Sequence, residues 1–161
     1  MSVTNDMIAA YRRPSKIMER QLNSGAGEDR ALIYLMATCV VVFISNLPVL
    51  SRTSHLDQVD MGPLLGASVL AWLFVAPLLF YILATVFRMI LRVLGCKASW
   101  FEVRLALFWA MLASTPLILL NGLTGGMLGN GVEQTIVGGF WFASFLWILS
   151  GNIRTVCRAS T

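Results

Sequence analysis

The stretch RMILRVLGCKASWFEVR, residues 88–104, separates two long apolar runs and gathers Arg88, Arg92, Lys97 and Arg104 in a region otherwise nearly free of charge. Read as a catalytic loop it would point to an enzyme; read as a turn between membrane helices it fixes a topology. The local signals favour the turn. Arg88 and Arg92, one helical turn apart, extend the preceding helix, Gly95 is suited to end it, and Ser99 with Glu102 three residues on forms the capping box of the next. The stretch predicts a helical hairpin whose basic residues serve topology first and binding of lipid or protein second.

The flanking sequence supports this. The chain has 161 residues, 57% apolar and 12% charged, with a mean hydropathy of +0.75; these are values for a chain whose solvent is a bilayer. Four apolar runs, residues 31–50, 64–87, 104–122 and 135–153, are each close to the roughly 20 residues that span a hydrocarbon core. They are apolar on every face, so periodicity does not divide them further. The first 30 residues hold five basic residues and no apolar run suited to a cleavable signal peptide. The first run is therefore expected to stay as an anchor.

Orientation follows from the basic residues, which are retained on the cytoplasmic side. Arg12, Arg13, Lys16, Arg20 and Arg30 precede the first run, the residues of the central turn follow the second, and Arg154 and Arg158 follow the fourth. Arg52 stands alone on the opposite side, with Asp57, Asp60 and Glu133. Four spans with both termini cytoplasmic satisfy every segment. The net charge of +4 thus follows membrane boundaries, and no basic face with interleaved aromatics indicates nucleic acid.

Ahead of the first run, YRRPSKIMERQLNSGAGEDR (residues 11–30) has Pro14 placed to open a short helix, with Ile17, Met18 and Leu22 on one face. This predicts a cytoplasmic interfacial helix whose Arg12, Arg13, Lys16 and Arg20 meet anionic headgroups. The alternative is a flank that only sets topology.

Three features together resemble the bacterial Yip family of small multi-spanning membrane proteins: the stub YRRPSKIMERQL, the central unit with its LGCKASW turn and a following helix ending near proline, and small residues in the last helix. The resemblance implies a membrane-integral helical fold and a non-enzymatic role. The GTPase binding that gives the family its name does not carry over: DMGP, residues 60–63, is similar to the Asp-Leu-Tyr-Gly-Pro signature of the eukaryotic members but falls on the non-cytoplasmic side.

No constellation of residues points to catalysis. His55 is the sole histidine, and His55, Asp57 and Asp60 in SHLDQVD lack a second cluster to close a metal site. Cys39, Cys96 and Cys157 form neither a CxxC nor a spaced ligand set and imply only a reducing compartment. Pro77 and Pro116 interrupt consecutive helices at roughly 15–18 Å from their cytoplasmic ends, each freeing a carbonyl near Leu73 or Leu112. A transporter could use such carbonyls; side chains such as Ser114 or Thr115 could equally satisfy them. Gly62 with Gly66, and Gly139 with Ala143, predict close helix packing within or between chains. NGLTGGMLGNG, residues 121–131, reads as a flexible turn. Trp100, Trp109, Trp141, Trp147 and Tyr34 read as aromatic belts without a cofactor.

The expectation is an all-α membrane protein: a bundle of four transmembrane helices over residues 31–153, with a basic N-terminal segment 1–30 containing the interfacial helix and a cytoplasmic tail 154–161. Placed in a bacterial inner membrane, it would act as an organiser or adaptor through helix packing and its basic cytoplasmic face. Candidate binding residues are Arg12, Arg13, Lys16, Arg20, Arg88, Arg92 and Lys97. The partners would be membrane lipids, with other subunits or further copies of the chain as additional candidates. A small accessory subunit of an energy-transducing complex and a small permease are the alternatives.

Overall fold

In the computed structural model, which describes residues 3–25, 27–129 and 131–159, all regular structure among the described residues is helical. Two short helices, α1 (Val3–Arg12) and α2 (Pro14–Asn23), precede the long α3 (Glu28–Asp57). A second long segment is built from α4 (Met61–Leu70), a π-helical turn (Ala71–Val75) and α5 (Ala76–Val93). α6 (Trp100–Ala113), α7 (Thr115–Leu128) and α8 (Val132–Ala159) follow. Three of these segments are long and apolar enough to cross a membrane, and a fourth is added if α6 and α7, bent by 45°, count as one span.

The α5–α6 turn forms as its sequence predicts. Gly95 adopts φ +86°, and the Cys96 amide donates to the Leu91 carbonyl at 3.0 Å, a C-terminal closure that a glycine in the left-handed region permits. Ser99 Oγ then accepts from the Glu102 amide at 3.1 Å while Glu102 Oε2 accepts from the Ser99 amide at 2.7 Å.

Side-chain pairs fix the directions of the segments. Along α3, Glu28 meets Arg104 (2.6 Å), Tyr34 meets Trp109 (ring centroids 5.0 Å), and Arg52 donates to the Met127 carbonyl (3.2 Å). Both numbers in each pair rise together, so α6 and α7 run parallel to α3 over its whole length. On α8 the order reverses: Trp141 Nε1 donates to Ser114 Oγ (3.2 Å) and Asn152 Nδ2 to the Ala106 carbonyl (3.1 Å). α5 also runs against α6, with Tyr81 edge-on to Phe108 at 5.3 Å. The segments therefore alternate in direction. One end collects α1, α2, the start of α3, the α5–α6 turn and the end of α8, and with them every Lys and Arg except Arg52.

The core is α6, buried without interruption over residues 105–113 and packed by α1, α3, α5 and α8. α5 instead turns Leu78, Leu79, Ile82 and Val86 outward, a surface that suits hydrocarbon and not water. Trp109 is 1% exposed with Nε1 unpartnered among the described residues, so it belongs to the core and not to an aromatic belt.

Two proline sites resolve differently. Before Pro77 the helix widens into the π-helical turn, whose end returns the Ala76 amide to the Ala71 carbonyl; a π-bulge is one way a helix absorbs such a break. At Pro116 the chain bends, and Thr115 Oγ1 donates to the Leu112 carbonyl at 2.7 Å, as the sequence suggests. Pro48, inside α3, carries no comparable sequence expectation.

The glycine-rich residues 121–128 are not a turn. They form the second half of α7 and pack closely on α3: an added Cβ would lie 1.8 Å from the Ser45 carbonyl oxygen at Gly122 and 2.3 Å from Pro48 Cβ at Gly126. By contrast, a Cβ at Gly62, Gly66 or Gly139 would meet nothing within 4 Å, and Ala143 is exposed. Among the described residues those four make no close helix contact within the chain. Of the two expected kinds of packing, within or between chains, the first is made by the glycines of α7, because the missing Cβ matters only where another backbone crosses.

Candidate anionic headgroup cleft

At the basic end, a residue before proline is disfavoured in helical conformation. Arg13 accordingly breaks the helix with φ −143° and ψ 65°, and α2 starts afresh at Pro14. The break lets α1 and α2 fold back on α6 and α8, burying Ala10, Ile17 and Met18. The contact point is Gly151 of α8, where a Cβ would come within 2.5 Å of Pro14 Cγ and where the carbonyl accepts from Ser15 Oγ at 3.4 Å. The expected interfacial helix is thereby corrected: its apolar face is taken by the bundle, so it has none left to lay into a leaflet. Protein and lipid offer the same partner to an amphipathic face, and the glycine on α8 decides for protein.

Docking leaves the basic side of the break outward. Arg12, Arg13 and Lys16 line a cleft of about 440 Å³ together with Arg154 and Trp147 of α8. Ser15 and Ser150 complete its polar wall, and no acidic residue contributes to the lining. All four cations are exposed, and Trp147 is 62% exposed. Unpaired like charges around one concavity attract an anion. Trp147 lies about 10 Å along α8 from Arg154, at roughly 1.5 Å per residue. Tryptophan is a residue favoured at membrane interfaces.

The other predicted binding residues are elsewhere. Arg20 is ion-paired with Asp6. Arg88 is buried, its guanidinium 5.5 Å over the Trp100 ring, with Nε and Nη1 unpartnered among the described residues; it faces the fold and is not a surface cation. Arg92 and Lys97 are exposed at the α5–α6 turn and do not line the cleft. Nearby, burial pushes the Tyr11 hydroxyl above its ordinary pKa, so it remains neutral. Arg154, Trp147 and Ser150 escaped the sequence reading because they join the stub only through the Gly151 contact. Their spacing on one face of α8 is the signal that could have grouped them.

No family model, curated protein or solved structure matches this chain.

Cys96 and Cys157, 61 positions apart, are joined by a disulfide with Cα atoms 5.3 Å apart, while Cys39 is free and buried. The expectation that the cysteines carry only a hint of a reducing compartment is corrected: two of them form a covalent tie at the basic end. At the opposite end, His55 and Asp60 surround a shallow polar recess, and among the described residues no three potential metal ligands cluster.

Proposed function

We propose that this chain is a non-enzymatic, four-span membrane protein with its basic end in the cytoplasm, acting as an organiser or adaptor of the Yip type by holding anionic phospholipid headgroups. The observation that carries the reading is the convergence of Arg12, Arg13, Lys16 and Arg154 on a cleft floored by Trp147 and free of acid. Arginine offers paired donors to phosphate oxygens, the serine hydroxyls suit a glycerol backbone, and Trp147 suits the start of the acyl chains. Each basic residue near an acidic leaflet contributes about 1 kcal/mol.

The test is retention of phosphatidylglycerol and phosphatidylethanolamine by the intact protein, measured by native mass spectrometry from mixed vesicles. Selective phosphatidylglycerol adducts are expected, falling at least tenfold when Arg12, Arg13, Lys16 and Arg154 are all changed to Gln. Equal retention of the two lipids, or unchanged adducts in the quadruple variant, would refute the cleft.

A second reading, an accessory subunit of a larger membrane complex, is favoured by one feature: Gly62, Gly66, Gly139 and Ala143 leave small-residue surfaces open for another helix. The permease reading has less support, because Thr115 already takes the carbonyl freed at Leu112.

A further inference from the structure

Away from the basic end, a cavity of about 420 Å³ opens between α3, the π-helical segment, α7 and α8. Its wall contains no charged residue and is largely apolar. Trp72 enters from the π-helical turn, and Trp141 and Phe145 stack on one another at 6.1 Å from α8. Three amides, Asn46, Asn121 and Gln134, also reach the wall. Asn46 Nδ2 is held by the Val42 carbonyl at 2.9 Å, and Asn121 Nδ2 makes only a 3.5 Å contact with the Gln134 carbonyl. Asn46 Oδ1, Asn121 Oδ1 and the Gln134 side chain have no hydrogen-bond partner among the described residues.

Asn46 lies on α3 between Arg30 and Arg52, about 24 Å from the first and 9 Å from the second at roughly 1.5 Å per residue. It therefore lies inside the first apolar run, while Asn121 and Gln134 stand at the adjoining ends of the third and fourth runs. Amides with unused donors and acceptors on a largely apolar wall are costly unless a ligand meets them. The flanking backbone is also built around the cavity: Gly122 allows α7 to reach Ser45, Gly125 leaves room for the Gln134 amide, and Gly138 leaves room for that of Asn121.

We infer that this cavity binds one neutral, apolar molecule drawn from the bilayer that carries a carbonyl-bearing head, the head meeting the Asn46, Asn121 and Gln134 amides and the apolar body lying against Trp72 and Trp141. The uncharged lining excludes an ionic head, and the volume is in the range of small-molecule sites. Membrane quinones and diacylglycerols share this chemistry. This inference is independent of the headgroup cleft, which recognises charge at the other end.

The full-length protein, stripped of lipid in detergent, is incubated separately with a decyl-tailed benzoquinone and with dioctanoylglycerol, and one-to-one adducts are counted by native mass spectrometry. An adduct with the quinone alone identifies a quinone-type ligand; one with the glyceride alone, or with both, identifies a glycerolipid-type or shared site. Asn46→Leu with Gln134→Leu is expected to reduce the adduct about tenfold, the loss of one or two neutral hydrogen bonds, and Leu83→Trp to block it by filling the mouth. Arg154→Gln is expected to leave it unchanged. Absence of an adduct with either probe, or adducts that survive both the double amide variant and Leu83→Trp, would overturn the proposal.

Discussion

Gly122 and Gly66 have the same composition and opposite meanings. A methyl group at Gly122 would overlap the Ser45 backbone at 1.8 Å, and at Gly126 it would strike Pro48, whereas at Gly66 it would meet nothing. Gly122→Ala and Gly126→Ala are expected to lower stability by about 1–3 kcal/mol or more, as overpacked sites do. Gly66→Ala and Gly139→Ala are expected to be neutral or to gain up to about 1 kcal/mol from helix propensity. Thermal unfolding in detergent of the four single variants checks the contrast, and similar losses at all four would contradict the intrachain packing described. Sequence could not make the distinction, because a GxxxG pattern at residues 62–66 is more regular than the spacing at 122, 125 and 126, and what matters is the backbone opposite. Arg88 teaches the same at a charged position: its place beside Arg92 marks the end of a membrane helix, while its burial under Trp100 is set by the return of α6.

At the level of elements, the α5–α6 hairpin was readable because its determinants are local. Gly95, Ser99 and Glu102 satisfy the hairpin's own backbone groups, and no distant residue is needed. α7 was unreadable for the opposite reason. Its glycines weaken an isolated helix, but close contact with α3 offsets that weakness. The N-terminal stub was half-readable: its amphipathic face was visible, but whether it met lipid or protein depended on Gly151. The Cys96–Cys157 tie joins the α5–α6 turn to the end of α8 and was invisible at 61 positions' separation. Closing a loop of that length stabilises by up to about 4 kcal/mol in the chain-entropy account. Reduction, or Cys96→Ser, is therefore expected to lower the melting temperature in detergent and to expose α8 beyond Gly151 to protease. A melting curve indifferent to reductant would show that the tie does not constrain the fold.

On the scale of the whole molecule, the up-and-down order of segments and the concentration of charge at one end belong together. Burial within the structure is low on the outer helices and uninterrupted on α6 only over residues 105–113, the arrangement of a bundle whose outer solvent is lipid. The apolar runs announced this class of fold. Their number does not follow as simply, because the third run is two helices meeting at 45°, which give three spans, or four if the bent pair counts as one. The disulfide bears on the proposed orientation: the cytoplasm normally keeps thiols reduced, so a Cys96–Cys157 bond found intact in cells would count against a cytoplasmic basic end.

The central claim, four spans with the basic end in the cytoplasm, is tested most directly by two-sided labelling. Glu19→Cys and His55→Cys, both at exposed positions, are placed singly in a Cys96→Ser/Cys157→Ser background and treated with a membrane-impermeant maleimide on intact cells and on inverted vesicles. The account predicts that residue 55 labels only on cells and residue 19 only on inverted vesicles; labelling of both from the same side would contradict it.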